Sequence, residues 1–181
     1  MTASLRSAPV EMCTECGFSY DGLPRPEIAP ELRARARRYG LILADTSAGP
    51  LRAHRRAGVW SALEYACHWR DVLRVQQGRI ELAHVEEAPV FASMRREERV
   101  GEEGYNGQEP AVVAGQITAA AEALSQTLEQ LDDDGWSRTG IYNWPTTQVR
   151  TVEWIGRHTV HEGVHHLMDM ATLLDSCEGD R

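Results

Sequence analysis

Four stretches of this sequence carry apolar residues at helical spacing between clear start and stop signals, and they restrict the chain to an all-α four-helix bundle. From Ile28 to about Ala48, Leu32, Ala36, Tyr39, Leu43 and Ala44 recur with arginines between them. Ser61-Ala62-Leu63-Glu64 reads as a capping box, so the second helix begins at Trp60 or Ser61 and runs to about Ala83. The third follows Pro110 through Ala111 to Leu131, with Val113, Ile117, Ala121, Leu124 and Leu128 on its apolar stripe and Asp132-Asp133-Asp134-Gly135 at its end. Thr151 fits the N-cap of the fourth helix, which ends near Ser176. Between the second and third helices, Pro89, Gly101, Gly104, Gly107 and many charges mark a long crossover loop of the kind that shapes a cavity or moves, with Phe91, Met94 and Tyr105 available for packing. Trp136 to Val149 alternates irregularly around Pro145 and reads as an extended loop or short hairpin. The expected organisation is an N-terminal arm over residues 1–27, a bundle over 28–176 and a tail over 177–181.

A chain of 181 residues, 42% hydrophobic, has the apolar content for one core and needs no second domain. Its net charge of -8 argues against nucleic acid as the main partner, which would require a basic patch. All 19 basic residues are arginine, so lysine chemistry is excluded. No run of about 18 apolar residues predicts a membrane span, and no basic segment followed by an apolar stretch marks a secretory signal, so a cytoplasmic location is expected.

Four of the seven histidines fall within nine positions of the last helix: His158, His161, His165 and His166. Residues three or four apart lie on one side of a helix, so His158, His161 and His165 share a face with Glu162 and Asp169, while His166 turns roughly 100° away from His165. Two imidazoles four residues apart fill half of a tetrahedral site, and His68 on the second helix is the outside candidate for a third ligand. The expected triad is therefore His68, His161 and His165, holding zinc, nickel or a similar divalent ion with a position left open. His158 is the alternative ligand, less suited because it lies about 10 Å from His165 along the axis. Glu162 and Asp169 stand next to the ion as acid/base or supporting groups. The competing reading of these histidines is hydrogen bonding inside a polar bundle interior.

Cys13 and Cys16 form a single CxxC followed by Gly17, which suits the tight turn of a zinc knuckle. Metal binding with further ligands such as His54 or His84, a redox pair, and two ordinary thiols are the alternatives for it. Cys67 and Cys177 read as ordinary buried or helix-end residues, and the five tryptophans as mostly core. Arg70, Arg74 and Arg79 either hold a substrate carboxylate or pair with acidic neighbours.

Trp60-Ser61 leading to Glu64, His68 and Asp71, then His161-Glu162 with His165-His166 and Asp169, resembles the DinB superfamily over residues 28 to 176. The layout is shared with its YfiT-like and mycothiol-dependent maleylpyruvate isomerase-like branches. The resemblance implies a four-helix bundle, a divalent metal on three side chains that fall at His68, His161 and His165, and chemistry that often uses a low-molecular-weight thiol such as mycothiol. Several members form dimers, which leaves room for a homodimer. The chain departs from the pattern by its Cys13 to Cys16 arm and by lacking the additional C-terminal domain of mycothiol-dependent maleylpyruvate isomerase.

The leading expectation is a divalent-metal-dependent enzyme that activates a low-molecular-weight thiol, or water, for transfer to a small electrophilic substrate. That covers a thiol S-transferase and a metal-dependent hydrolase or isomerase. The alternative is a non-catalytic metal- or redox-responsive binding or stress protein that uses the CxxC arm.

Overall fold

The computed structural model describes residues 11–143 and 146–175, so the expectations for Trp144, Pro145, Ser176 and Cys177 lie outside the described residues. The elements run α1 (Ile28–Asp45), α2 (Ala48–Arg52), α3 (Ala62–Val85), α4 (Arg96–Glu102), α5 (Pro110–Glu129), α6 (Asp133–Ser137), β1 (Thr139–Tyr142), β2 (Gln148–Thr151) and α7 (Val152–Asp175). Four of these are long and form the bundle. α1 packs on α5 and α7, and α3 packs on the same two, so α1 and α3 lie diagonally across the interior, as do α5 and α7. Among the described residues no helix is long and apolar enough to cross a membrane.

Local chemistry sets the helix starts as the sequence predicts. The Ser61 hydroxyl accepts from the Glu64 N–H at 3.2 Å and the Glu64 carboxylate accepts from the Ser61 N–H at 2.7 Å, a complete capping box at the head of α3. The Thr151 hydroxyl accepts from the Trp154 N–H at 3.1 Å and caps α7. The first helix ends earlier than expected, at Asp45, and the chain turns through the short α2. The acidic run after α5 does more than end it: Asp132 caps α6 through the Gly135 N–H at 2.8 Å.

Packing sets the rotation of α7. Trp69 on α3 is fully buried, stacks on Tyr39 of α1 at 4.4 Å between ring centroids, and its indole N–H donates to the Thr159 carbonyl at 3.3 Å. A Cβ on Gly163 would stand 2.8 Å from the Trp69 ring. Only glycine allows α7 this close. The Tyr39 hydroxyl donates to the Gly163 carbonyl at 3.2 Å, holding the same turn from the other side.

The crossover is ordered by a buried polar knot. Arg70 forks onto Asp71 at 2.8 and 3.1 Å, and the Tyr105 hydroxyl donates to the same carboxylate. Phe91 is buried against Gly140, where a side chain would meet its ring, and residues 89–91 bond alongside Ile141 of β1. The segment from Trp136 to Val149 thus contains a short antiparallel hairpin, with Thr139 opposite Thr151.

Candidate metal centre

α3 presents His68 and α7 presents Glu162 and His166 to one point of the bundle interior, where a ligand atom from each lies within 4.8 Å of the others. His68 and His166 are buried, with ring centroids 5.0 Å apart. Two ring nitrogens there, His68 Nδ1 and His166 Nε2, are buried without a hydrogen-bond partner. Buried polar atoms are nearly always partnered, so a converging pair of orphans beside a carboxylate calls for a cation. The opposite nitrogen of His166 is fixed: Nδ1 lies 2.9 Å from Asp169 Oδ2. With an ion bound, that carboxylate would keep the proton on Nδ1 and leave Nε2 free to ligate, the support a metal-binding imidazole commonly has.

Burial holds the His68 imidazole down at about 3, helped by the neighbouring His166 charge, so it is a neutral donor at neutral pH. Burial also pulls on His166, but the carboxylates of Asp169 at Nδ1 and of Glu162, 3.5 Å from Nε2, outweigh it and lift that imidazole to about 9, so an ion would displace a proton from Nε2. Glu162 is held well below the usual carboxylate range: burial alone would raise it, and hydrogen bonds from His161 and His166 reverse the direction. The residues present fit a metal.

The expected triad is not the one assembled. No ligand atoms of His161 or His165 gather with those of His68, which meets His166 and Glu162 instead, while His161 also lies near Glu162 and His158. The reason is rotational. Glu162 and His166 are also four residues apart, one position on from His161 and His165, and a shift of one residue turns a helix by about 100°. The buried stripe of α7 runs through Ile155, Thr159, Gly163, His166 and Met170. A glycine on that stripe and a glutamate four before His166 agree with this rotation, but the equally spaced His161–His165 pair agrees with the other, so the sequence alone does not choose between them.

His161 and His165 instead form a group with Cys13 and Cys16, again with ligand atoms within 4.8 Å of one another. Neither His54 nor His84 joins the CxxC; the imidazole of His54 bonds Glu64 at 2.8 Å. Cys13 is brought down to about 6: burial would raise it, and the Cys16 backbone N–H with His161 and His165 overcomes that. His158 lies deeper along the same side, 2.8 Å from the Tyr20 hydroxyl, and burial keeps it neutral at about 4. Asp169 touches His166 and so supports a ligand without facing the cavity.

A cavity of about 670 Å³ opens beside His68 and Glu162, between α3, α7, the hairpin, the crossover and the arm. Tyr20, Gln76, Arg79, Tyr142, Trp154 and His158 are among its walls. Arg79 sits over the Tyr142 ring at 4.6 Å, and its buried Nε has no partner among the described residues. Arg70 and Arg74, by contrast, are committed to Asp71.

Residues 31–170 match the model of the DinB superfamily. YfiT from Bacillus subtilis, described as a probable metal-dependent hydrolase with an unusual four-helix bundle topology, superposes with a TM-score of 0.73 at 15% identity, covering 92% of each chain. The mycothiol-dependent maleylpyruvate isomerase superposes with a TM-score of 0.66 at 14% identity, over 86% of this chain and 68% of that one. At such identities the likeness is one of fold. Among curated proteins none matches the sequence.

Proposed function

Because the chain belongs to the DinB superfamily, we propose that it is a divalent-metal-dependent enzyme whose ion, zinc or nickel, is held by His68, Glu162 and His166 at the edge of the cavity. The observation that carries this reading is the pair of buried, unpartnered nitrogens His68 Nδ1 and His166 Nε2 converging beside the Glu162 carboxylate. Once His166 gives up a proton to the ion, two imidazoles and one carboxylate would leave room for a further ligand from the cavity. A divalent ion there would lower the pKa of a water or thiol far enough to make a nucleophile near neutrality.

The chain's own groups then divide the remaining work. Asp169 keeps His166 in the tautomer that offers Nε2. Neutral His158, bonded to the Tyr20 hydroxyl in the cavity wall, can take a proton from a nucleophile or return one to a leaving group. Arg79, on the cavity wall with its terminal nitrogens held by Gln76 and the Ala92 carbonyl, brings a positive charge that suits an anionic group on a small electrophilic substrate. Phe91, Tyr142 and Trp154 supply the apolar walls that keep bulk water away. The nucleophile in this reading is a low-molecular-weight thiol such as mycothiol, or water.

Turnover of a panel of small electrophiles, with and without added thiol, tests the reading on metal-loaded protein. His166→Ala is expected to lose one ion and turnover together. Undiminished metal content in that variant, or activity in stripped protein, would overturn it. Thiol-dependent turnover selects transfer or isomerisation, and thiol-independent turnover selects hydrolysis.

A further inference from the structure

We propose that Cys13, Cys16, His161 and His165 form a second metal site, a structural zinc clasp that fastens the N-terminal arm to α7. The inference stands apart from the enzyme reading in its ligands: none of its four donors is assigned to the bundle ion, and Glu162 only backs the His161 ring.

The donor set is two thiols and two imidazoles, with two residues between the cysteines and three between the histidines. That composition and spacing match closed tetrahedral zinc sites. The local backbone is shaped for it. The Gly17 N–H donates to the Cys13 carbonyl at 2.9 Å, the Cys13 N–H donates to the Phe18 carbonyl at 2.9 Å, and Gly17 takes φ +73°, where glycine is at ease. Met12 pairs with Ser19, so the two cysteines sit on the tight end of a small hairpin. Both thiols are free rather than joined.

Each imidazole is oriented by its other nitrogen. His165 Nδ1 lies 3.7 Å from the Cys13 sulfur while its Nε2 lies 3.3 Å from Glu15, a residue of the CxxC turn itself. His161 Nδ1 lies 3.1 Å from the Tyr20 hydroxyl and 3.4 Å from Glu162, while its Nε2 is buried without a partner. A carboxylate or hydroxyl behind each ring is the usual support of a ligating histidine. His161 Nε2 is a third orphan, separate from the two at the bundle centre, and it belongs to the residue that the arm covers.

Zinc binding here is an acid–base step with no change of oxidation state: two Sγ–Zn and two N–Zn bonds form, and any proton on either sulfur leaves to solvent. Two thiolates neutralise the ion's charge, and four protein ligands close its coordination, so the clasp is structural. Its effect on the cavity is direct. Tyr20 and Glu11, on the hairpin that the clasp anchors, line the cavity wall.

The test uses the full chain, purified reduced and tag-free. Elemental analysis should find two zinc ions in the wild type, one in Cys13→Ser/Cys16→Ser and one in His68→Ala. After cobalt substitution, a thiolate-to-cobalt charge-transfer band should appear in the wild type and His68→Ala and vanish in the cysteine variant. Should that variant not fold, a mercurial titration of unsubstituted protein replaces it, with release of one zinc expected as the thiols react. The clasp is overturned by cobalt protein with no thiolate band, or by a mercurial that frees no zinc. One ion lost in His68→Ala, with no thiolate band, would leave the bundle centre standing alone. One ion kept in His68→Ala and freed by mercurial would leave only the clasp.

Discussion

Glu162 occupies the position on α7 where two sets of donors meet. One carboxylate oxygen lies 3.5 Å from His166 Nε2 and the other 3.4 Å from His161 Nδ1. In a bundle centre of His68, Glu162 and His166 it is a ligand; for His161 it is the group behind the ring. Asp169 bonds the far nitrogen of His166 at 2.9 Å and stands 3.9 Å from His165 Nε2. Asp169→Asn should therefore leave the fold intact and weaken metal binding at the bundle centre by about 10- to 100-fold, as loss of such a supporting carboxylate usually does. Competition with a chelator of known affinity reads the change, and an affinity equal to wild type would show that Asp169 does not orient the ligand. The residue types of the site were legible in the sequence, because histidines at that density on a helix have few other uses. Which histidines face His68 was not legible, because neighbouring i, i+4 pairs on one helix differ only by rotation.

That rotation belongs to the element. α7 is set by Trp69, whose ring occupies the space a Cβ would take at Gly163 and whose N–H bonds the Thr159 carbonyl. Gly163→Ala gains roughly 1 kcal/mol in helix propensity but must push back a fully buried indole, an overpacking cost of about 1–3 kcal/mol. The ring is also clamped by Tyr39, so the upper part of that range applies and the melting temperature should fall. A variant that melted at or above wild type would mean that α7 is not held at this point. The helix starts were readable because caps are local: Ser61 with Glu64, and Thr151 with the Trp154 N–H, need only four residues of sequence. The hairpin was half-readable, since its pairing with residues 89–91 of the crossover is nonlocal.

At the scale of the whole molecule, three non-bundle segments converge over the seam between α3 and α7: the arm, the crossover and the β1–β2 hairpin. The crossover is tied down by buried side chains, Phe91, Tyr105 and the Arg70–Asp71 pair, which need no metal. The arm packs through Phe18, Tyr20 and Leu23 and is held at its edges by Glu11 on Trp154 and Arg150 and by the Leu23 carbonyl on Arg157, so its cysteines would add the one metal-dependent tie of the proposed clasp. Stripping metal with a chelator should therefore raise amide hydrogen exchange over residues 11–24 first, while the buried turns of α3 keep their protection. Equal loosening of arm and bundle would show that the two are not separately anchored. The amino-acid sequence by itself determined that this is a four-helix bundle of the DinB superfamily carrying a dense set of candidate ligands, because helix periodicity, caps and residue types are properties of neighbouring residues. Only the tertiary structure decided that Glu162 and His166 join His68 while His161 and His165 turn to Cys13 and Cys16. The packing of Trp69 against Gly163 fixes the rotation of α7, and no local pattern encodes a rotation set by a helix some ninety residues away.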